Sequence, residues 1–259
     1  MNLLTAPFVN ALFGFYYLVG NLGWSVVIVT VILRLALFPL LLPSLKSAKT
    51  MRVLQPKLKK LQEKYKDDKQ KLASAQMELY KEHGVNPMSG CLPQLLQVGV
   101  LILFYSAFNL VTSFGQGKGN LGTMNELLLP FLQITKNFKF EMGFLGSNLG
   151  MTPAMAFASK EIGIMLLPAV LLIGSAVSQF LSAKLMMPTA PIDENVAKKT
   201  EDKEDDMMAA MRTQSLYFMP LMTLFIGWNF SLGILLYWFV NSVVMIGQQM
   251  VANRLSKEF

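Results

Sequence analysis

Residues 22–42 read LGWSVVIVTVILRLALFPLLL, a run that carries a single charge, the guanidinium of Arg34. An α-helix rises about 1.5 Å per residue, so roughly 20 apolar residues are enough to cross roughly 30 Å of hydrocarbon. The run is therefore a membrane span with an arginine near its middle. A charge at that depth costs about 2.5–3.5 kcal/mol on insertion scales and is expected to face water, a partner or a substrate path. Snorkelling does not relieve it: the residues from Arg34 to Pro43 are all apolar or proline, about 13 Å of helix, which exceeds the reach of the side chain.

The rest of the 259-residue chain agrees with a membrane solvent. It is 53% hydrophobic and 15% charged, against about 25% charged in soluble domains. Residues 92–114 and 162–183 are further uncharged stretches of spanning length, and 213–253 is long enough for two spans, with Asn229-Phe230-Ser231-Leu232-Gly233 as the turn between them. The expected class is an all-α integral membrane protein with five transmembrane helices.

The net charge of +7 follows this layout and does not form a nucleic-acid surface. Lys and Arg number 11 in 44–91, 4 in 115–161, 5 in 184–212 and 2 in 254–259. Alternating crossings place the rich segments on one side, which the positive-inside rule assigns to the cytoplasm. The N-terminus is then outside and the C-terminus cytoplasmic. The expected layout is an interfacial amphipathic helix over 1–20, span one at 21–43, a cytoplasmic helical hairpin at 44–88 and span two at 89–114. An exterior loop at 115–160 follows, lying on the membrane surface, then span three at 161–185 and a flexible, acidic loop at 186–212. Span four at 213–229, span five at 232–253 and a short cytoplasmic tail at 254–259 complete it.

The hairpin rests on two stripes at helical spacing. Met51, Leu54, Leu58, Leu61 and Tyr65 form one on a Lys-rich helix. Asp67-Asp68 interrupts it, and Leu72, Ala75, Gln76 and Leu79 form the second down to His83-Gly84. Lys57, Lys59, Lys60, Lys64 and Lys66 are its expected basic surface, suited equally to ribosomal RNA or anionic lipid.

Inventory excludes most intramembrane chemistry. Apart from Glu161 at the edge of span three, the expected spans hold no Asp or Glu, and the one histidine, His83, lies in the hairpin, so paired-carboxylate, metal-histidine and serine-histidine mechanisms all lack parts. Ion coupling through membrane acids fails on the same ground. Cys91 is the single cysteine and makes neither a disulfide nor a thiolate site. No enzyme, metal or cofactor is expected. What remains is uncharged polarity: Thr30 one turn before Arg34, then Gln94, Gln97, Tyr105 and Asn109 in span two. Span three carries Ser175, Ser178, Gln179 and Ser182, and span five Tyr237, Asn241 and Gln248 beside Trp238. Converging, these faces line a wet cavity around Arg34; taken singly, such residues are interhelical hydrogen-bond glue worth about 0.6 kcal/mol on average. A wet cavity suits an insertase, a channel or a solute transporter, and glue suits an assembly factor.

One set of motifs narrows this. LQPKLKKLQEKYKDD at 54–68, ELYK at 78–81, NPMSGCLPQLLQ at 86–97, and Leu236-Tyr237-Trp238 with Asn241 and Gln248 follow the arginine-bearing span in order. Together they resemble the YidC membrane protein insertases of the Oxa superfamily over nearly the whole chain. The resemblance implies a five-helix core, a cytoplasmic hairpin, and a positively charged groove open to cytoplasm and lipid but closed outside. Arg34 matches the groove arginine, Gln97 the glutamine of the second-span motif, and Gln179 and Trp238 two further groove-lining positions. Val98 and Ser231-Leu232-Gly233 depart from the proline-containing pattern of many members and alter local helix shape only. The implied partners are nascent membrane protein clients and membrane lipids, with the Sec translocon and the ribosome as candidates and no DNA. The short tail after Arg254 weakens the case for ribosome attachment, and the chain is expected to be a minimal form, without a large exterior domain, in the bacterial plasma (inner) membrane.

Overall fold

The computed structural model describes residues 2–65, 68–84, 92–136, 138, 140–186 and 214–255. Among these residues nine α-helices appear in this order: α1 (Asn2–Val19), α2 (Leu22–Lys64), α3 (Lys69–Glu82), α4 (Leu92–Gly115), α5 (Leu121–Leu127), α6 (Pro153–Ala158), α7 (Ile162–Met186), α8 (Met219–Gly227) and α9 (Leu232–Leu255). A two-residue antiparallel pair, β1 (Gly143–Phe144) with β2 (Ser147–Asn148), sits between α5 and α6. A π-helical turn over Gln214–Phe218 leads into α8, just ahead of Pro220, where an amide is missing from the helix ladder. The loop expected at 186–212 lies, from 187 onward, outside the described residues, as does the tail from 256.

Among the described residues four stretches are long and apolar enough to cross a membrane: Leu22–Leu40, Leu95–Gly115, Ile162–Leu185 and Leu232–Ala252. Leu216–Gly227, the expected fourth span, falls short of that length. The chain is thus an essentially all-α membrane protein. On α7, Leu166, Val170, Ile173, Val177 and Leu181 form an exposed stripe while Leu167, Leu171, Ser175 and Ser178 turn inward. An apolar stripe of that extent on the outside of a bundle is lipid-facing surface.

Span one and the first hairpin helix, expected as separate elements meeting at 43, are one helix of 43 residues, about 64 Å long. It continues through Pro39, Pro43 and Pro56. Past the core, Leu54, Leu58 and Leu61 of α2 pack on Leu79 and Tyr80 of α3 to make a small separate core; Leu79 belongs to the expected second stripe and Tyr80 does not. Asp68 caps α3 by accepting from the Lys71 amide at 3.0 Å, and its carboxylate pairs with Lys71 Nζ at 2.8 Å.

In the bundle, α9 packs on α7 and α2, α1 on α2 and α4, and α8 on α7. The core runs through Val9, Leu12 and Phe13 of α1, Leu22 and Val26 of α2, Phe104 and Phe108 of α4, and Leu232, Ile234 and Leu235 of α9. α1, expected to lie in the interface, therefore gives one face to the bundle. The segment expected on the membrane surface is folded over the end opposite the hairpin. Leu128, Leu132 and Ile134 turn into the core, and Phe138 and Phe140 interlock with Phe13 and Tyr16 at ring distances of 4.7–5.9 Å. It also completes helix ends. Asn21 caps α2 and donates to the Gly143 carbonyl, and the Leu232 and Gly233 amides opening α9 donate to the Met151 and Leu149 carbonyls. Ser147 Oγ donates at 2.8 Å to the Ile164 carbonyl, which Pro168 deprives of its own helical donor.

Gly233 allows the closest approach of α4 to α9, since a Cβ there would overlap the Phe108 ring, whereas at Gly247 on the same helix a Cβ meets nothing within 4 Å. Gly233→Ala is expected to destabilise the detergent-solubilised protein by about 1–3 kcal/mol. Gly247→Ala should leave stability unchanged or raise it, by up to about 1 kcal/mol. Denaturant unfolding compares the two.

The Lys71 ammonium and amide hold the Asp68 carboxyl below the usual carboxylate range. Because the folded value is the lower one, the stability it lends the hairpin is complete above the unfolded carboxylate pKa and is lost as pH falls through the folded value. Protease cleavage of the hairpin should therefore rise at acid pH in the native chain. In Asp68→Asn, which keeps an N-cap acceptor, the pH dependence should flatten; Asp68→Ala should be cleaved faster at every pH.

Candidate functional site

Arg34 lies twelve residues into α2 and is 5% exposed. Three side chains from two other helices answer its head group. Nε donates to Asn241 Oδ1 on α9. Nη2 donates to Gln97 Oε1 on α4 at 2.5 Å and lies 3.7 Å from Met245 Sδ on α9. Gln248, one turn further along α9, donates from Nε2 to the main-chain carbonyl of Arg34 at 2.7 Å. Asn241, Met245 and Gln248 share one face of α9 by their spacing. The charge is thus met by dipoles, and no carboxylate is among its described partners. Beside it lies a cavity lined by Leu33, Leu37, Leu96, Gln97, Val100 and Asn241, with room for about one water molecule.

The family model described as 60Kd inner membrane protein matches residues 14–258. The chain belongs to that family. Relatives named membrane protein insertase YidC include one from Pelobacter propionicus, 30% identical over 254 residues, covering 98% of this chain and 39% of the relative. Another, from Streptomyces avermitilis, is 31% identical over 234 residues, covering 90% and 51% respectively. A third, from Francisella tularensis subsp. novicida, is 32% identical over 237 residues, covering 92% and 33%. The chain therefore spans between a third and about half of the length of these relatives. A crystal structure described as an active YidC insertase with its first transmembrane domain resolved has the same fold, with a TM-score of 0.54 at 22% identity over 94% of this chain and 44% of that one.

Within this 60Kd family fold the polar residues singled out from sequence divide into groups. Arg34, Gln97, Asn241 and Gln248 come together. Thr30 is buried one turn away, with its hydroxyl turned back to the Val26 carbonyl at 2.6 Å. Gln179 lies in a second place, between α7 and α8, where Thr223 Oγ1 donates to its Oε1 at 2.8 Å. Ser178 is buried on the same helix, as are Ser175 and Ser182, whose hydroxyls have no hydrogen-bond partner among the described residues. Tyr237 stacks on Phe104 with ring centroids 4.2 Å apart, and its hydroxyl is buried and likewise without a described partner. Trp238 is half-buried against Phe230, and Tyr105 is exposed beside that same ring. Asn109 is half-buried on α4, away from the Arg34 cluster. The side chains of Gln94 and Lys59, and the whole of Lys66, lie outside the described residues. Lys57, Lys60 and Lys64 are exposed, with Lys57 Nζ 3.0 Å from His83 Nε2.

Two residues escaped the sequence reading. Met245 follows Asn241 by one turn, a signal visible in the spacing, but a thioether carries no polar mark in the sequence pattern. Thr223 is the one hydroxyl residue in α8, and that isolation marked it. It is 1% exposed, so removing its hydroxyl strands part of the Gln179 amide. Thr223→Val should cost about 1–3 kcal/mol. In a double-mutant cycle with Gln179→Leu the coupling should reach about 0.5–1.5 kcal/mol; strict additivity would show that the bond contributes nothing.

Proposed function

We propose that this chain is a membrane protein insertase, not an enzyme, working without nucleotide hydrolysis in the bacterial inner membrane. The observation that carries the reading is Arg34: a buried, permanent cation with only neutral described partners, on a membrane-length helix, in a fold shared with insertases. In the proposed topology α2, α4, α7, α8 and α9 cross the membrane, the 115–160 cap lies outside and the α2–α3 hairpin is cytoplasmic. Its charge supports this, with Lys57, Lys59, Lys60, Lys64 and Lys66 on the side the positive-inside rule assigns to the cytoplasm.

A nascent client is captured at the basic hairpin and enters beside Arg34, which attracts acidic groups of its short exterior tail. Thr30, Gln94, Gln97, Tyr105, Asn109, Ser178, Gln179, Tyr237, Trp238, Asn241 and Gln248 form the polar surround of its path. The apolar part of the client then moves sideways into lipid, driven by burial at about 25 cal/mol per Å². A membrane potential positive outside adds about 2.3 kcal/mol per anionic charge per 100 mV. Anionic lipid, the ribosome and the Sec translocon are the proposed contacts of the hairpin side. The folded cap supports an insertase over a channel, because a channel needs an aqueous path through that end.

The test is insertion of a short-tailed, single-span client into proteoliposomes. Arg34→Ala should lower insertion of an acidic-tailed client about tenfold, equivalent to 1.4 kcal/mol. Arg34→Lys should restore much of it, since it keeps the charge and loses the fork. Equal insertion by wild type and Arg34→Ala removes the electrostatic role; steady ion conduction without client points to a channel.

A further inference from the structure

The acceptors around Arg34 are amide oxygens and a thioether, on residues whose acidic counterparts differ by one heavy atom. We infer that Asn241 and Gln97 are specificity-determining residues: neutral place-holders that fix the plane of the guanidinium while leaving its charge uncompensated for a client carboxylate. The inference rests on the insertase reading and goes beyond it, because it assigns the preference for acidic tails to the partners of Arg34 as well as to Arg34.

The chemistry is an exchange of acceptors. A guanidinium presents five N–H donors in a rigid planar fork. Asn241 takes Nε and Gln97 takes Nη2, each as a single neutral acceptor, so the head group is held by two edges in one orientation. A carboxylate accepts two parallel N–H groups at once, and charge-assisted bonds are roughly twice as strong as neutral ones. A client acid therefore displaces an amide in a water-poor site, whereas a neutral client tail offers nothing better than the amide already there. The cavity beside Arg34 has room for about one water and is bounded by Gln97 itself, so a carboxylate enters only as Gln97 withdraws. Gln97 is placed to do so: it stands in the N-terminal part of α4, two turns before Phe104, whose stack on Tyr237, with Phe108 over Gly233, ties the helix to α9. Asn241, 5% exposed on the heavily packed α9, stays as the fixed edge. An acid at either position pairs with Arg34 permanently and takes the place of the client.

The experiment uses the full chain in proteoliposomes and two single-span clients that differ only in tail residues, two Asp against two Asn. The readout is the ratio of acidic-tailed to neutral-tailed insertion for wild type, Arg34→Ala, Asn241→Asp, Asn241→Ser and Gln97→Glu, with thermal unfolding of each in detergent. Asn241→Asp and Gln97→Glu are expected to lower the ratio about tenfold, to the level of Arg34→Ala, without a lowered melting temperature. Asn241→Ser, still neutral, should hold the ratio within about twofold of wild type. A wild-type ratio in both acidic variants, or a parallel loss of both clients, overturns the inference. If one acidic variant fails to fold, the other decides. Failure of wild type to insert either client, or an unchanged ratio in Arg34→Ala, instead overturns the insertase reading or its electrostatic step.

Discussion

A guanidinium inside an apolar bundle is the constraint around which the rest of this molecule is arranged. A buried lysine can escape the cost of burial by losing its proton; an arginine cannot. The protein must therefore bring acceptors to Arg34, and α2 has none of its own at the right height. They come from α4 and α9, which fixes the rotation of both helices. On α9 the face bearing Asn241, Met245 and Gln248 has to meet α2, and the neighbouring face with Leu235 and Phe239 then falls to α7. Gln248 adds a second tie, to the carbonyl of Arg34 itself, one turn before Pro39 interrupts the ladder of α2. The backbone that carries the charge is held from outside where its own helix is weakest.

The end of the bundle away from the hairpin follows a different logic, that of helix termini. Helices leave amides and carbonyls without partners at their ends, and prolines add more. Residues 115–160 supply many of those partners. Asn21 and Gly143 finish α2, Leu149 and Met151 take the first amides of α9, and Ser147 reaches the carbonyl that Pro168 orphans in α7. Asn10 of α1 locks the same segment by donating to the Leu127 carbonyl at 2.7 Å and accepting from the Leu129 amide at 2.7 Å. Aromatic rings then fill the space between: Phe13, Tyr16, Phe138 and Phe140. The result is a bundle dense at one end, with its buried charge set beyond the dense part.

Four spanning-length helices among the described residues, the contact of α2 with α3 and the gathering of Gln97, Asn241 and Gln248 at Arg34 were legible because each has a periodicity or a composition that physics ties to one outcome. The apolar run around Arg34 admits little besides a membrane helix. The Leu54–Leu58–Leu61 stripe needed a partner stripe, and Leu79 with Tyr80 supplied it. Asn241 and Gln248 declared themselves as polar residues seven apart on an apolar helix. What escaped was pairing at a distance. Nothing in the spacing of Asn10 and Asn21 announces that each also bonds backbone groups more than a hundred residues away. Gln179 was legible and its partner Thr223 was not, since spacing describes one helix at a time. The unbroken course of α2 through Pro39, Pro43 and Pro56 runs against the usual reading of proline as a stop.

Packing density then decides where this bundle yields. α9 is braced by α7 and α2, and α8 by α7, whereas α4 packs on α1 and is tied to α9 through Phe104 on Tyr237 and Phe108 over Gly233, all beyond its N-terminal turns. Toward its N-terminus α4 meets α2 at the small cavity lined by Leu33, Leu37, Leu96 and Val100, and the bond from Arg34 to Gln97 stands at its edge. On the proposed function this joins two events that are otherwise separate. A client carboxylate that takes Nη2 from Gln97 gains the charge and at the same time removes a tie between α4 and α2. The affinity of the site for an acid and the opening of the α4 edge are then linked quantities: whatever favours one favours the other by the same free energy. The arginine is in that case both the attraction for the client and the latch it releases, and the neutrality of its resting partners is what allows one group to serve both ends.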